Sequence, residues 1–260
     1  MPELPEVEFI RRELSSTLVG QKLLTTWGIY DLSQAAGKEV EAVQRKGKYL
    51  LLRLRDGWVV CHLGMTGQIH LDKPEPEKHL KCVLQFQLNK VGFTDPRGFG
   101  SVSWLGGDDL SKAPGLLGRL GTDPLEKDFD KTGAGQLLSG RDTPVKAALL
   151  EQGAIPGVGN YIADEALWLA KVNPLSRHLS PAVGCEIVSA VLEVMDKSLA
   201  LGGVSMANYQ HADGSKGSGA QALKVYGRSG KECLRCGQVL EKSRVSGRGT
   251  TWCGRCQTLQ

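Results

Sequence analysis

The chain has 260 residues, 41% of them apolar and 23% charged, with a formal charge of +4. That length exceeds one typical domain, and the composition argues against wholesale disorder, a fibre or a membrane bundle. No run approaches the roughly 18 apolar residues of a spanning helix, and Glu3, Glu6 and Glu8 stand where a signal peptide would be basic, so a soluble cytoplasmic protein is expected.

After Pro5, the residues Val7, Ile10, Leu14 and Leu18 recur at helical spacing until Gly20. The spacing predicts an amphipathic helix over 5–19, with proline in its first turn and a glycine stop. From Gly20 to about Leu105 short β-rich runs take over: Val40–Val43, Tyr49–Arg55, Trp58–Leu63, Lys81–Leu88 and Ser101–Leu105. Turns such as Asp56-Gly57 separate them, so residues 1–110 read as a helix followed by an antiparallel β-sandwich. Residues 111–143, rich in Gly, Pro, Asp and Ser, read as a linker with one short helix at Leu116–Leu120. Helical segments follow at about 144–152, 161–171 and 181–201, giving a helical unit over 144–224. Within it, residues 205–221 carry six Gly or Ser and read as a mobile loop. The fold class is α+β, closed by a cysteine-bearing hairpin at 225–260.

That hairpin holds Cys233-x2-Cys236 and Cys253-x2-Cys256, with sixteen residues between the pairs. Each short pair supplies two thiolates from one tight turn, and two turns complete a tetrahedron, so the spacing predicts one structural Zn2+ with no position open for water. Residues 221–260 carry eight Lys or Arg against two Glu, which is +6 and leaves −2 for the rest. A basic tail of this kind fits a polyanionic partner. Cys61, Cys82 and Cys185 lie among apolar neighbours and read as core. His62 reads as a packing residue or a phosphate neighbour, and Asp108-Asp109 as an exposed loop.

The chain start offers a different chemistry. Removal of Met1 would leave Pro2 as a secondary amine, with a pKa near 8 in model peptides, next to the positive end of the helix. The free amine is a nucleophile toward aldehyde-like carbons, and a secondary amine forms a permanently charged iminium. Glu3 and Glu6 supply acid–base capacity beside it. Farther along, Pro156-Gly157-Val158-Gly159-Asn160 leads into the helix at 161–171, where backbone N–H groups can hold a phosphate and Asn160 can serve as N-cap.

The opening Met-Pro-Glu-Leu-Pro-Glu-Val-Glu resembles that of the bacterial formamidopyrimidine-DNA glycosylases. The likeness continues through Lys46-Gly47-Lys48-Tyr49-Leu50-Leu51, His62-Leu63-Gly64-Met65-Thr66-Gly67, Asp95-Pro96-Arg97-Gly98-Phe99-Gly100, the Pro156–Tyr161 turn, Val225-Tyr226-Gly227-Arg228 and the cysteine hairpin. The motifs occur in the family's order and span most of the chain.

The resemblance implies a bifunctional glycosylase and AP lyase of base excision repair, a monomer acting on damaged double-stranded DNA. Pro2 would attack the sugar C1′ and later cleave the strand by β,δ-elimination, with Glu3 protonating the opening sugar and Glu6 assisting. Lys48 would bind phosphate. Met65 would fill the space left by the extruded nucleotide, Arg97 pair with the orphaned base and Phe99 wedge the opposite strand. Asn160, in a helix-two-turn-helix domain, and Arg248, at the tip of the β-hairpin zinc finger, would grip phosphates, with Lys146 a further contact near the active site. Three places depart from the family pattern: Lys78-His79-Leu80-Lys81, Met206-Ala207-Asn208-Tyr209 and Gly217-Ser218-Gly219. The last two fall in a loop that covers the flipped base in relatives, so 8-oxoguanine and formamidopyrimidines are the default substrates and oxidised pyrimidines or hydantoins the alternative. The reading from another class is a non-enzymatic zinc-hairpin protein that binds DNA without cutting it.

Overall fold

The computed structural model describes residues 2–72, 78–205 and 209–260. The chain divides into two compact units, one of Met1–Arg119 with Leu201–Ala220, the other of Leu120–Ala200 with Gln221–Gln260.

In the first unit, helix α1 (Leu4–Leu18) buries Leu4, Val7, Ile10, Leu14 and Leu18 almost completely, as their helical spacing requires. Two antiparallel four-stranded sheets complete the unit. One runs β2–β3–β4–β8, formed by Val40–Lys46, Tyr49–Leu54, Gly57–His62 and Ser101–Gly106. The other runs β1–β6–β7–β5, formed by Leu23–Gly28, Leu80–Phe86, Lys90–Thr94 and Gln68–Leu71. Both sheets and α1 contribute to one core, with Leu14, Leu52, Cys61, Cys82, Phe86 and Phe93 in the same cluster.

Three strands of the second sheet have no clear signal in the sequence. Strand β1 is exposed on both faces along most of its length, β5 has four residues, and β7 is interrupted by Gly92, so none carries a long alternating pattern. The segment 201–220, expected with residues 144–200, packs instead on α1. Tyr209 Oη donates to the Glu6 carbonyl at 2.9 Å, and Glu13 Oε2 accepts the Ala212 amide at 2.9 Å. The His211 ring stacks on Phe9 at 4.9 Å, and Tyr209 and Ala212 join the core. Long-range contacts of this kind leave no trace in composition. Met206, Ala207 and Asn208 of that loop lie outside the described residues, as does Met1.

In the second unit, the stretch expected to be a linker holds helix α2 (Lys131–Leu138), capped by Asp130. Helices α3 (Val145–Leu150), α4 (Asn160–Leu169) and α5 (Pro181–Ala200) follow. Gly135 and Gly184 allow α2 and α5 to touch, since a Cβ on Gly184 would lie 2.2 Å from the Gly135 carbonyl oxygen. Strands β9 (Glu241–Val245) and β10 (Arg248–Trp252) form the terminal hairpin around Ser246-Gly247, both at positive φ as a two-residue hairpin turn demands. Among the described residues, no helix is long and apolar enough to cross a membrane.

Candidate functional site

The first turn of α1 gathers Pro2, Glu3 and Glu6, all buried. Glu3 at the N-cap and Glu6 three residues on form a capping box, with Glu6 Oε2 accepting the Glu3 amide at 2.7 Å. The other carboxylate oxygen, Oε1, accepts the Val204 amide at 2.7 Å. Glu6 thus ties the start of the chain to the segment 201–220, 198 residues away, and both of its oxygens are engaged as acceptors. Burial, followed by the Glu6 and Glu13 charges, pushes the Tyr209 phenol up, so it stays protonated and donates to the Glu6 carbonyl.

Lys48 sits in the tight turn between β2 and β3, where Lys46 pairs with Tyr49 and Gly47 takes φ +57°. A turn lysine is ordinarily solvated, yet this one is only 8% exposed. Its turn is held to α1 by Arg45, which donates to the Gly47 carbonyl at 2.9 Å and to Glu8 Oε2 at 3.1 Å. Glu8 also receives Arg11 and Arg12. Burial raises its carboxyl, but the three guanidinium groups outweigh that and leave its pKa below the usual value. On the neighbouring strand, burial and then the Lys48 charge lower the pKa of His62, whose ring lies 4.7 Å from that of Tyr49.

Met65, Arg97 and Phe99, which come from two separate motifs, form one exposed cluster. The Arg97 guanidinium lies 4.9 Å from the centre of the Phe99 ring and donates to Met65 Sδ at 3.6 Å. Phe99 is 57% and Met65 37% exposed, and with Arg97 they form one exposed patch rather than isolated apolar side chains. The turns that carry them meet backbone to backbone. Gly64 has φ +61°, and a Cβ there would lie 2.6 Å from the Gly100 nitrogen, so only glycine fits.

In the second unit, Asn160 and Arg248 approach each other through Gly249. Asn160 Nδ2 donates to the Gly249 carbonyl at 2.9 Å, and Arg248 next to it is exposed at the hairpin turn. Asn160 is the first helical residue and Gly159 the N-cap, which corrects the expectation of an asparagine cap. The turn before α4 is shaped by Gln152, which accepts the Gly157 amide at 2.9 Å and donates to the Val158 carbonyl at 2.5 Å. Lys146, expected to contact DNA, has no exposed side chain. Its ammonium donates to Asp164 Oδ1 at 2.6 Å, Thr250 Oγ1 at 2.8 Å and the same Gly249 carbonyl at 3.0 Å. It is a buried clamp between α3, α4 and β10, and no surface is left for a phosphate. Burial pushes the Asp164 carboxyl up to about 6 even against the Lys146 charge.

The four cysteine sulfurs lie within 4.8 Å of one another, with Sγ–Sγ separations of 4.0 Å for Cys233 and Cys256 and 3.5 Å for Cys236 and Cys253. A Zn–S bond of about 2.3 Å puts tetrahedral sulfurs roughly 3.8 Å apart, which these values bracket. The residues fit one structural Zn2+ whose four positions are all thiolate. Trp168 Nε1 donates to Cys233 Sγ at 3.4 Å, and Arg235 covers the Trp168 ring at 4.0 Å, so the finger is fixed to α4.

An exposed apolar and guanidinium cluster in one unit, and a zinc-organised basic hairpin in the other, are the features of a DNA-binding protein. Three family descriptions match the chain: the Formamidopyrimidine-DNA glycosylase N-terminal domain over residues 1–102, the H2TH domain of the same enzymes over 120–210, and a zinc finger found in FPG and IleRS over 230–259. A formamidopyrimidine-DNA glycosylase of Desulfitobacterium hafniense is 37% identical over 273 residues, covering 99% of this chain and 100% of the relative. One of Escherichia coli is 37% identical over 272 residues with the same coverage. The crystal structure of the MutM (FPG) protein from Thermus thermophilus superposes with a TM-score of 0.92 at 36% identity, over 100% of both chains. A Lactococcus lactis FPG mutant in complex with Fapy-dG-containing DNA gives 0.90 at 33% identity, over 99% of this chain and 100% of that one. The chain belongs to the formamidopyrimidine-DNA glycosylase family, and it is an enzyme of that family rather than a binding module.

Proposed function

We propose that this enzyme excises oxidised purines, 8-oxoguanine and formamidopyrimidines, from double-stranded DNA as a monomer and then cleaves the strand as an AP lyase. The observation that carries the reading is a proline at position 2, buried directly ahead of a helix amino terminus whose first turn holds two buried carboxylates. With Met1 removed, Pro2 presents a secondary amine, and the helix dipole disfavours its ammonium form. The amine nitrogen bonds to the sugar C1′ as the C1′–N bond to the base breaks, and the base leaves with the proton that the amine gives up. Glu3 protonates the sugar ring oxygen as the ring opens, giving an iminium. Loss of a C2′ proton then expels the 3′ phosphate and a second elimination expels the 5′ phosphate, with Glu3 handling the protons. Glu6, whose oxygens hold the Glu3 and Val204 amides, assists by fixing the first turn rather than by carrying protons.

Extrusion of the damaged nucleotide costs a few kcal/mol, which Met65, Arg97 and Phe99 offset by entering the stack and engaging the orphaned base. Lys48, Asn160 and Arg248 bind the phosphates around the lesion. The protein would act in a bacterial cytoplasm, where DNA is at hand and thiolates stay reduced.

A second substrate class has its own support. The oxidised-base loop departs from the family at Gly217–Gly219, and a Cβ on Gly219 would lie 2.6 Å from the Gly203 carbonyl oxygen, so no aromatic replaces it without a shift. A Lactococcus lactis FPG is described in complex with DNA containing an oxidised pyrimidine. Oxidised pyrimidines and hydantoins therefore belong in the substrate panel.

Sodium borohydride added during incubation with an 8-oxoguanine duplex should trap a covalent protein–DNA adduct that maps to Pro2. Correctly processed protein that binds the duplex but yields no adduct and no cleavage would overturn the reading.

A further inference from the structure

The cluster of Met65, Arg97 and Phe99 is built from two turns roughly 30 residues apart in sequence, and one buried carboxylate joins them. Asp95 has no exposed surface. Its Oδ1 accepts the Thr66 hydroxyl at 2.5 Å and the Arg97 amide at 3.2 Å, while Oδ2 accepts the Gly100 amide at 2.7 Å. Thr66 Oγ1 in turn lies 3.3 Å from the Arg97 amide, so Arg97 N–H is shared between the two turns. Burial raises the Asp95 carboxyl, and the hydrogen bonds from Thr66, Gly100, Arg97 and Gly98 more than reverse that, leaving its pKa below the usual value.

Met65 precedes Thr66, Arg97 is itself a donor to Asp95, and Phe99 precedes Gly100, so each member of the cluster is adjacent to an atom the carboxylate fixes. The three side chains are exposed and lack a core to hold them. Their relative position therefore depends on the backbone beneath them.

We propose that Asp95 is a positioning residue for base extrusion, presetting Met65, Arg97 and Phe99 as a single rigid wedge before DNA is bound. This rests on the reading of those three residues as the group that enters the stack. The wedge acts ahead of bond breaking, while phosphate contacts dominate duplex affinity. Losing Asp95 therefore slows extrusion and spares ground-state binding. Displacement of a reacting or inserting group by about 1 Å costs on the order of 10²-fold in rate.

The test uses single-turnover kinetics on two substrates, an 8-oxoguanine duplex and a single-stranded oligonucleotide with an abasic site, which has no stack to enter and no orphaned base. Asp95→Ala should lower the saturating duplex rate about 10- to 100-fold, with duplex KM and single-strand cleavage within about threefold of the parent. Asp95→Asn, which keeps one acceptor, should fall between. A 2-aminopurine beside the lesion should brighten more slowly in proportion to the lost rate. Adding Asp95→Ala to a variant already carrying Met65→Ala, Arg97→Ala and Phe99→Ala should cost nothing further.

Equal loss on both substrates in both Asp95 variants, or an extra loss in the wedge-less background, would overturn the proposal. So would an undiminished duplex rate in Asp95→Ala while the wedge-less variant is crippled. If the wedge-less variant itself acts normally on duplex, the reading of the three residues falls first, and the role of Asp95 falls with it.

Discussion

The zinc hairpin and the amino-terminal site are both small constellations of polar groups, yet they are assembled in opposite ways. The hairpin's four ligands come from two tight turns within 24 residues, and its strands pair around a two-residue turn. The amino-terminal site closes only when Glu6 meets Val204, Tyr209 meets the Glu6 carbonyl and Arg45 reaches both Glu8 and Gly47. One depends on a bound ion and local geometry, and the other on side-chain hydrogen bonds between segments far apart in the sequence of the first unit. The first should fail all at once when its ion is lost, the second in steps as single contacts are removed.

The largest effect is expected from the metal. Structural zinc contributes on the order of 10–16 kcal/mol to small finger domains. Chelation, or Cys253→Ser, should melt the hairpin and abolish most DNA affinity while the melting of the first unit is preserved, which circular dichroism with a filter-binding titration would register. Retained affinity after zinc removal would erase the contrast.

Next comes the clamp beneath the hairpin. Lys146→Met leaves Asp164 buried without its partner, so that its carboxyl must take up a proton or stay an unpaired charge; breaking a buried pair in this way typically costs about 3–5 kcal/mol, whereas Lys146→Met with Asp164→Leu should recover most of it. Denaturant melts of the single and double variants would decide whether the pair is a lock or a surface contact, and a Lys146→Met protein as stable as the parent would exclude the lock. In the amino-terminal site, Glu6→Ala leaves the Glu3 and Val204 amides buried without an acceptor, at about 1–3 kcal/mol each. Its rate on lesion duplex should fall more than its stability does, because Pro2 and Glu3 lose their anchor. A fall in stability with an unchanged rate would mean that the first turn needs no tether.

What the sequence discloses follows the same division. The cysteine spacing, the apolar stripe of α1, the Asp56-Gly57 turn and the strands with clear alternation are local patterns, and each is legible by inspection. The resemblance supplies Met65, Arg97, Phe99, Asn160 and Arg248 as motif members. Neither route discloses that Asp95 joins two motifs, that Arg45 links Glu8 to the Lys48 turn, or that Lys146 is buried. Arg45 and Lys146 look like solvated cations in one dimension, and only their partners, 37 and 18 residues away, reveal otherwise. Helix α2 was hidden for a further reason: two of its eight residues are glycine, a poor helix former, kept because Gly135 lets α5 approach.

The smallest effect tests how tightly the Lys48 turn is held. Burial and then the Lys48 ammonium keep the His62 pKa below its ordinary value, so in the acid range the folded chain binds fewer protons than the unfolded chain. Stability therefore rises with pH there. The contribution of His62 is complete above its ordinary pKa of about 6.5 and is lost as pH falls from there through the folded-state value. His62→Gln should flatten this part of the curve of melting temperature against pH and leave the alkaline side unchanged. Replacing Lys48 with methionine should move the His62 imidazole resonances to titrate at higher pH, since one of the two causes is gone. An identical titration in that variant would mean that the lysine ammonium points away from His62, and that the turn does not hold it against β4.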